Sequence, residues 1–285
     1  MPSLFPAIAF AAALLTSHFT HAAGVPLSID YNCDPCIERQ NYAVKAIVHG
    51  TKSDPFWQQL QAAAVQAAAD MNIQFEMELQ DSFSPTKQAM DILSFIDQDS
   101  PGSGLVVTIP NQEVADAVKQ AVDAGIPVVG VNTGASYAKQ LGVLDFVAPD
   151  DFEGGRQAGE AFLSLHSVTT RNVLYINDEQ GNEAMTDRLQ GFKSVLGASV
   201  DVQSLNVDGT NPTAMADSIT NGLANCPYDA VLLSGTRSLQ HAIAAYKTNG
   251  CTLSEMALGA FDTSEEVYAA IGNDELAFTI GNSQY

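Results

Sequence analysis

The residues of this chain that could do chemistry gather where apolar runs end. His49-Gly-Thr-Lys-Ser-Asp-Pro-Phe-Trp57 follows the apolar segment Ala43 to Val48 and opens an alanine-rich helical stretch. It puts one carboxylate, Asp54, and two rings, Phe56 and Trp57, at a strand-to-helix junction, where open parallel sheets collect their ligands. Asn132 follows the run Val128 to Val131, and Asp262 is the first polar residue after Ala257 to Phe261. Each has an ordinary alternative role. Asp54 is placed to cap the helix, Asn132 to make a turn, and Phe56 to pack under the first helix. The pattern as a whole reads as a small-molecule binder.

Catalysis is not expected. Of five histidines, His18 and His21 fall in or at the end of the leader, and His166 and His241 lie within predicted helices. His49 alone stands near the candidate cleft, and nucleophilic catalysis needs a base beside its Ser, Cys or Thr. No Gly-x-Ser-x-Gly, Walker loop or His-Glu-x-x-His is present. Asp54 and Asp262 could flank a glycosidic bond, but hydroxyl binding explains both. Neither metal nor cofactor is expected.

Strand and helix signals alternate along the chain. Apolar, β-branched runs at 43–48, 73–79, 104–108, 127–131, 172–176, 200–205, 230–233, 257–261 and 277–280 read as strands. Asp54-Pro55, Ser84-Pro85 and Asn211-Pro212 each set a capping side chain before a proline suited to a first helical turn. Alternation of this kind predicts an α/β fold of crossover units and mostly parallel sheets. The turn-rich segment Phe146 to Gly155 suggests a boundary. The expected organisation is a signal peptide at 1–22, an arm at 23–41, a first lobe at 42–148, a second at 149–279 and a return crossing at 280–285.

The leader carries no Lys, Arg, Asp or Glu, holds the apolar run Ala7 to Leu15 and ends in Thr20-His-Ala22. That suits signal-peptide cleavage, and the run is short of the ~20 residues a transmembrane helix needs. Export makes disulfides Cys33–Cys36 and Cys226–Cys251 the simple expectation, although four cysteines allow three pairings. With 12 basic against 33 acidic residues, binding to a nucleic-acid backbone is excluded as a function class.

Five motifs together resemble the type I periplasmic sugar-binding proteins, the family of ribose-binding protein. They are Asp54-Pro-Phe-Trp57, Ala124-Gly-Ile-Pro-Val-Val-Gly-Val-Asn132, Arg188-Leu-Gln-Gly-Phe192, Leu258-Gly-Ala-Phe-Asp262 and Phe278-Thr-Ile-Gly-Asn282. The resemblance covers nearly everything from Val44 to Tyr285. It implies two Rossmann-like lobes joined by a hinge, closing over a ligand, with Asn182, Thr186, Thr236, Asp262 and Asn282 around the cleft. Thr133 joins this set beside Asn132. Arg188 is expected either to face the cleft or to pair with a surface carboxylate, with the balance on the surface.

A sugar presents apolar C–H faces and a rim of hydroxyls, which aromatic plates and planar polar groups match. Ribose-type members have Asp-Arg where this chain has Asn132-Thr133, and an arginine near Thr186. Loss of two guanidinium forks argues against ribose and for a neutral hexose, sugar alcohol or cyclitol. Family members also continue past the Asn282 position, so this sequence reads as lacking its C-terminal segment. The expected function is capture of a carbohydrate, secreted or periplasmic, for a membrane permease. The alternative is the sensing ectodomain of a membrane receptor.

Overall fold

A computed structural model describes residues 42–98, 103–165 and 172–281. The leader, Cys33, Cys36 and Asn282 lie outside the described residues. Two parallel five-stranded sheets form the frame. The first contains β1 (Ala43–Thr51), β2 (Gln74–Gln80), β3 (Ser103–Val107), β4 (Val128–Val131) and β5 (Asp145–Val147), in the order β2-β1-β3-β4-β5. The second contains β6 (Asn172–Asn177), β7 (Asp201–Asn206), β8 (Ala230–Leu233), β9 (Ala257–Phe261) and β10 (Phe278–Ile280), in the order β10-β9-β8-β6-β7. The second is the first repeated.

Helices connect every successive pair of strands within a sheet. In the first these are α1 (Pro55–Met71), α2 (Pro85–Gln98), α3 (Gln112–Asp123) and α4 (Ala135–Leu141). After β5 come α5 (Asp151–Leu165), then α6 (Glu183–Leu196), α7 (Pro212–Gly222), α8 (Leu239–Asn249) and α9 (Glu265–Gly272). The caps read from sequence form: Asp54 and Asn211 accept N–H bonds in the first turns of α1 and α7, and Ser84 Oγ accepts from Lys87 N–H. One strand differs from the sequence reading. β5 has only three residues, too few to show alternation, so its apolar pair Phe146-Val147 reads as the start of a loop.

Both faces of each sheet are covered, which is why the central strands are apolar almost throughout. Ile47 of β1 points toward α2 and α3, whereas its neighbours Ala46 and Val48 pack with Phe56 and Trp57 of α1. Leu174 and Ile176 of β6 face α7 and α8, and Val173 and Tyr175 face α5 and α6. Helices α5 and α6 cross with their backbones in contact. A Cβ on Gly155 would stand 2.1 Å from the Arg188 carbonyl oxygen, and one on Gly191 would stand 1.9 Å from that of Phe152. That contact fixes where Arg188 sits.

Cys226 and Cys251 form a disulfide joining the loops before β8 and β9, away from the strands' carboxyl ends. Their separation of 25 residues makes a loop whose closure in the unfolded chain is worth about 3.5 kcal/mol. Replacing both cysteines by serine is expected to lower the free energy of unfolding by roughly that amount, read by urea denaturation.

Candidate functional site

In each sheet the chain starts at a central strand, runs to one edge, and returns to the other side of its starting strand. The switch points therefore lie between β1 and β3, and between β6 and β8, and the loops at their carboxyl ends face a common cleft. Sheet register pairs the two halves position by position. Ile47 opposes Val107 as Ile176 opposes Leu233, and Val131 opposes Val147 as Phe261 opposes Ile280.

The polar residues just beyond these ends correspond too. His49 donates its N–H to Thr108 Oγ1 at 3.0 Å, and Asp178 donates its N–H to Ser234 Oγ at 3.4 Å. Asn132 and Asp262 both sit at positive φ (66° and 69°), and their N–H groups bond to Val147 and Ile280 carbonyls on the next strand. Asn and Asp tolerate that conformation better than most residues. Asp54 and Asn182 cap α1 and α6, each accepting the N–H two residues on. Two helix N-termini, with their partial positive charge, thus look into one space.

Across that space the halves touch. Asp54 accepts from the Thr236 hydroxyl at 3.2 Å and stands 3.5 Å from Arg237 Nη2. The Thr133 hydroxyl donates to Asn182 Oδ1 at 3.0 Å, and the Glu183 N–H donates to the Pro110 carbonyl. Glu179 is the hub: Oε1 accepts from Arg237 Nη2 at 2.9 Å, Oε2 from Asn182 Nδ2 at 2.7 Å, and His49 Nε2 lies 3.6 Å away. The free volume left in the cleft is about 30 Å³, room for roughly two waters. Anything as large as a sugar must part the lobes to enter.

Burial sets the ionisation of these groups. It lowers the His49 pKa, against the attraction of Glu179, so the imidazole is neutral. The Thr108 hydroxyl lies 2.8 Å from Nδ1 and has its hydrogen to give, which leaves the ring proton on Nε2, facing Glu179. Burial pushes the Asp54 carboxyl up to about 6 in spite of Arg237. For Glu179 burial is opposed by the charge of Arg237 and by hydrogen bonds from Asn182 and Arg237, and its pKa is lowered.

Asp54, Phe56, Trp57, Asn132, Arg188, Thr236 and Asp262 line the cleft. Thr133 and Asn182 are buried in the contact between its walls. Thr186 is exposed on α6, where the inward phase belongs to Ala184, Met185 and Arg188, so it does not join the group.

Arg188 corrects the surface reading. It is 3% exposed, donates to Asp151 at 2.8 Å, Asp262 at 3.2 Å and the Ser234 carbonyl at 2.6 Å, and lies 4.6 Å over the Phe261 ring. Arg237 is a second cleft guanidinium, and the argument from lost forks therefore loses its premise. Arg237, Asp178 and Glu179 escaped sequence reading because they lie in short polar loops with no periodicity. Their one signal was position directly after the strands ending at Asn177 and Leu233.

Trp57 is only partly a plate for a ligand. Its ring packs edge-on to His49 at 4.9 Å and lies against Gly50, where a Cβ would approach within 2.1 Å. Among the described residues no group of His, Cys, Asp and Glu is arranged to hold a metal ion, and no helix is long and apolar enough to cross a membrane.

A family profile described as a periplasmic binding protein domain matches residues 45–285. A putative rhizopine-binding protein from Rhizobium meliloti is 26% identical over 214 residues, covering 72% of this chain and 68% of the relative. A carbohydrate transporter from Acidothermus cellulolyticus 11B, solved in complex with myo-inositol, is 29% identical with a TM-score of 0.73, over 82% of this chain and 79% of that one. A Caulobacter myo-inositol binding protein shares the fold at 18% identity and a TM-score of 0.71, over 82% of this chain and 79% of that one.

The Asp54 shift carries a pH prediction. Its pKa in the folded protein is about 6 against 3.8 as a model group, so the folded state holds a proton that the unfolded chain releases between these values. Above pH 6 the buried carboxylate costs stability, and the cost is relieved as pH falls from 6 toward 3.8, by up to roughly 3 kcal/mol. Asp54→Asn keeps the cap and removes the charge. Urea midpoints at several pH values between 7 and 4 should show wild type gaining on the variant as pH falls, whereas parallel curves would refute the shift.

Proposed function

The chain belongs to the periplasmic binding protein domain family, and from that premise we propose that it captures a sugar or sugar-like polyol between its lobes and presents it to a membrane permease. One observation carries this reading: matched polar residues at the strand ends of two sheets converge on one cleft, with Phe56 and Trp57 beside them. Carboxylates, an amide and guanidiniums there supply the donors and acceptors that a rim of hydroxyls needs. The likeness to a carbohydrate transporter solved with myo-inositol supports a six-membered polyhydroxylated ring.

The role is binding, not turnover. The hydroxyl beside His49 is that of Thr108, which donates to Nδ1 and accepts from the His49 N–H and from Gln88. It is fully buried and is not among the residues lining the cleft, so it is held as a structural link and not presented to a ligand as a nucleophile. Closure would enclose the ligand and change the surface shown to a partner, so that partner reads occupancy as shape. An exported location, periplasmic or extracellular, is the reading that the leader sequence and the family support.

Binding raises the melting temperature of a protein whose unfolded state does not bind. A thermal-shift screen of hexoses, pentoses, polyols and cyclitols should return a shift for one structural class, together with a change in emission from the single tryptophan, Trp57. Asp262→Asn, which tolerates the positive φ and leaves Arg188 an oxygen to bond, is expected to shrink or abolish the shift with its lobe still folded. Trp57→Ala is a poorer probe than sequence suggests, because the ring is part of the core and its loss costs about 3–5 kcal/mol. A cooperative melt that no compound moves would contradict the proposal.

A further inference from the structure

The cleft is short of positive charge. Asp54, Asp178, Glu179 and Asp262 line it and Asp151 holds Arg188 from behind, so five carboxylates share the guanidiniums of Arg188 and Arg237. His49, kept neutral by burial, adds nothing. Carboxylates taken out of water without a counter-charge are costly.

The shortage is sharpest at Asp178, at the end of β6. It is 5% exposed, its Oδ1 accepts from the Ser234 hydroxyl at 3.0 Å, and its Oδ2 has no hydrogen-bond donor. Burial pushes the Asp178 carboxyl up against the pull of Arg237, so its negative charge is under-compensated where it stands in the cleft wall, and its unpaired oxygen has room for a cationic donor's bond.

The neighbouring space points the same way. A hollow of about 310 Å³ shares Asn132 and Ala184 with the cleft and is lined by Asp150, Asp151, Glu183 and Asp187 together with Phe146 and Phe152, and by no lysine or arginine. Burial, and then Glu183, Asp151 and Asp150, push the Asp187 carboxyl up. Walls of one sign concentrate the opposite charge at an entrance.

We propose that the ligand bears an ammonium group on its polyhydroxylated frame, as an amino sugar or aminocyclitol does, with that group seated against Asp178 Oδ2. This rests on the sugar-binding reading above and replaces the neutral ligand expected from sequence by a cation. An ammonium brings three donors and a counter-charge, where a hydroxyl in its place brings one donor and none. A hydrogen bond between charged partners is about twice as strong as a neutral one.

The test compares matched pairs by calorimetry at neutral pH: glucosamine with glucose, galactosamine with galactose, and an aminodeoxyinositol with myo-inositol. The expected result is that, in at least one pair, the amine binds roughly tenfold tighter or better, as a charge-assisted bond in a buried site implies. N-acetylation, which removes the charge, should erase the gain on the wild-type protein, so the proposal stays testable if a variant fails to fold. Asp178→Asn should bring the two members of that pair to similar affinity. Neutral members that bind while the amines gain nothing would overturn the proposal and leave the sugar-binding reading standing. A preference kept by folded Asp178→Asn, or by the N-acetyl compound, would overturn it as well. No binding by any member of any pair would overturn both.

Discussion

Two guanidiniums buried among carboxylates organise this molecule. Arg237, from the loop after β8, reaches Asp54 at the start of α1 and Glu179 at the end of β6, and so ties the two sheets through one side chain. Arg188 does the same work inside the second lobe, drawing Asp151, Asp262 and the Ser234 carbonyl to a single point. Breaking a buried pair by removing one partner strands the other without compensation, so these contacts behave as a unit. The apolar cores beneath them hold the strand ends still; the charges decide how the ends meet.

That arrangement depends on duplication. Each lobe supplies a capped helix N-terminus, a hydroxyl that pins the end of its first strand, and an Asn or Asp at positive φ after its fourth strand. The corresponding side chains differ where chemistry requires. His49 matches Asp178, Asp54 matches Asn182, and Asn132 matches Asp262. The ionisable groups thus concentrate on the second lobe, with both guanidiniums, Asp178, Glu179 and Asp262, while the first contributes Asp54, neutral His49 and the rings.

Much of the fold was legible in the sequence because its signals are local. Apolar or alternating segments marked nine of the ten described strands, and proline after a capping side chain marked the starts of α1, α2 and α7. β5 stayed hidden because three residues cannot show a period. Asp54, Asn132 and Asp262 were legible as the first polar residues at strand or helix ends. Arg188 was misread as a surface residue because its inward turn depends on the contact of Gly155 with the Arg188 backbone, 33 residues apart in the chain (188 − 155). Arg237 and Glu179 owe their roles to partners in other loops, and nothing in their own neighbourhood of sequence records those partners.

The central claim is that Arg237 holds the lobes against each other by bridging Asp54 and Glu179. Small-angle X-ray scattering of wild type and Arg237→Gln, without ligand and under identical conditions, tests it most directly. The account predicts a larger radius of gyration for the variant, with circular dichroism unchanged. Superimposable scattering curves from the two proteins would contradict it.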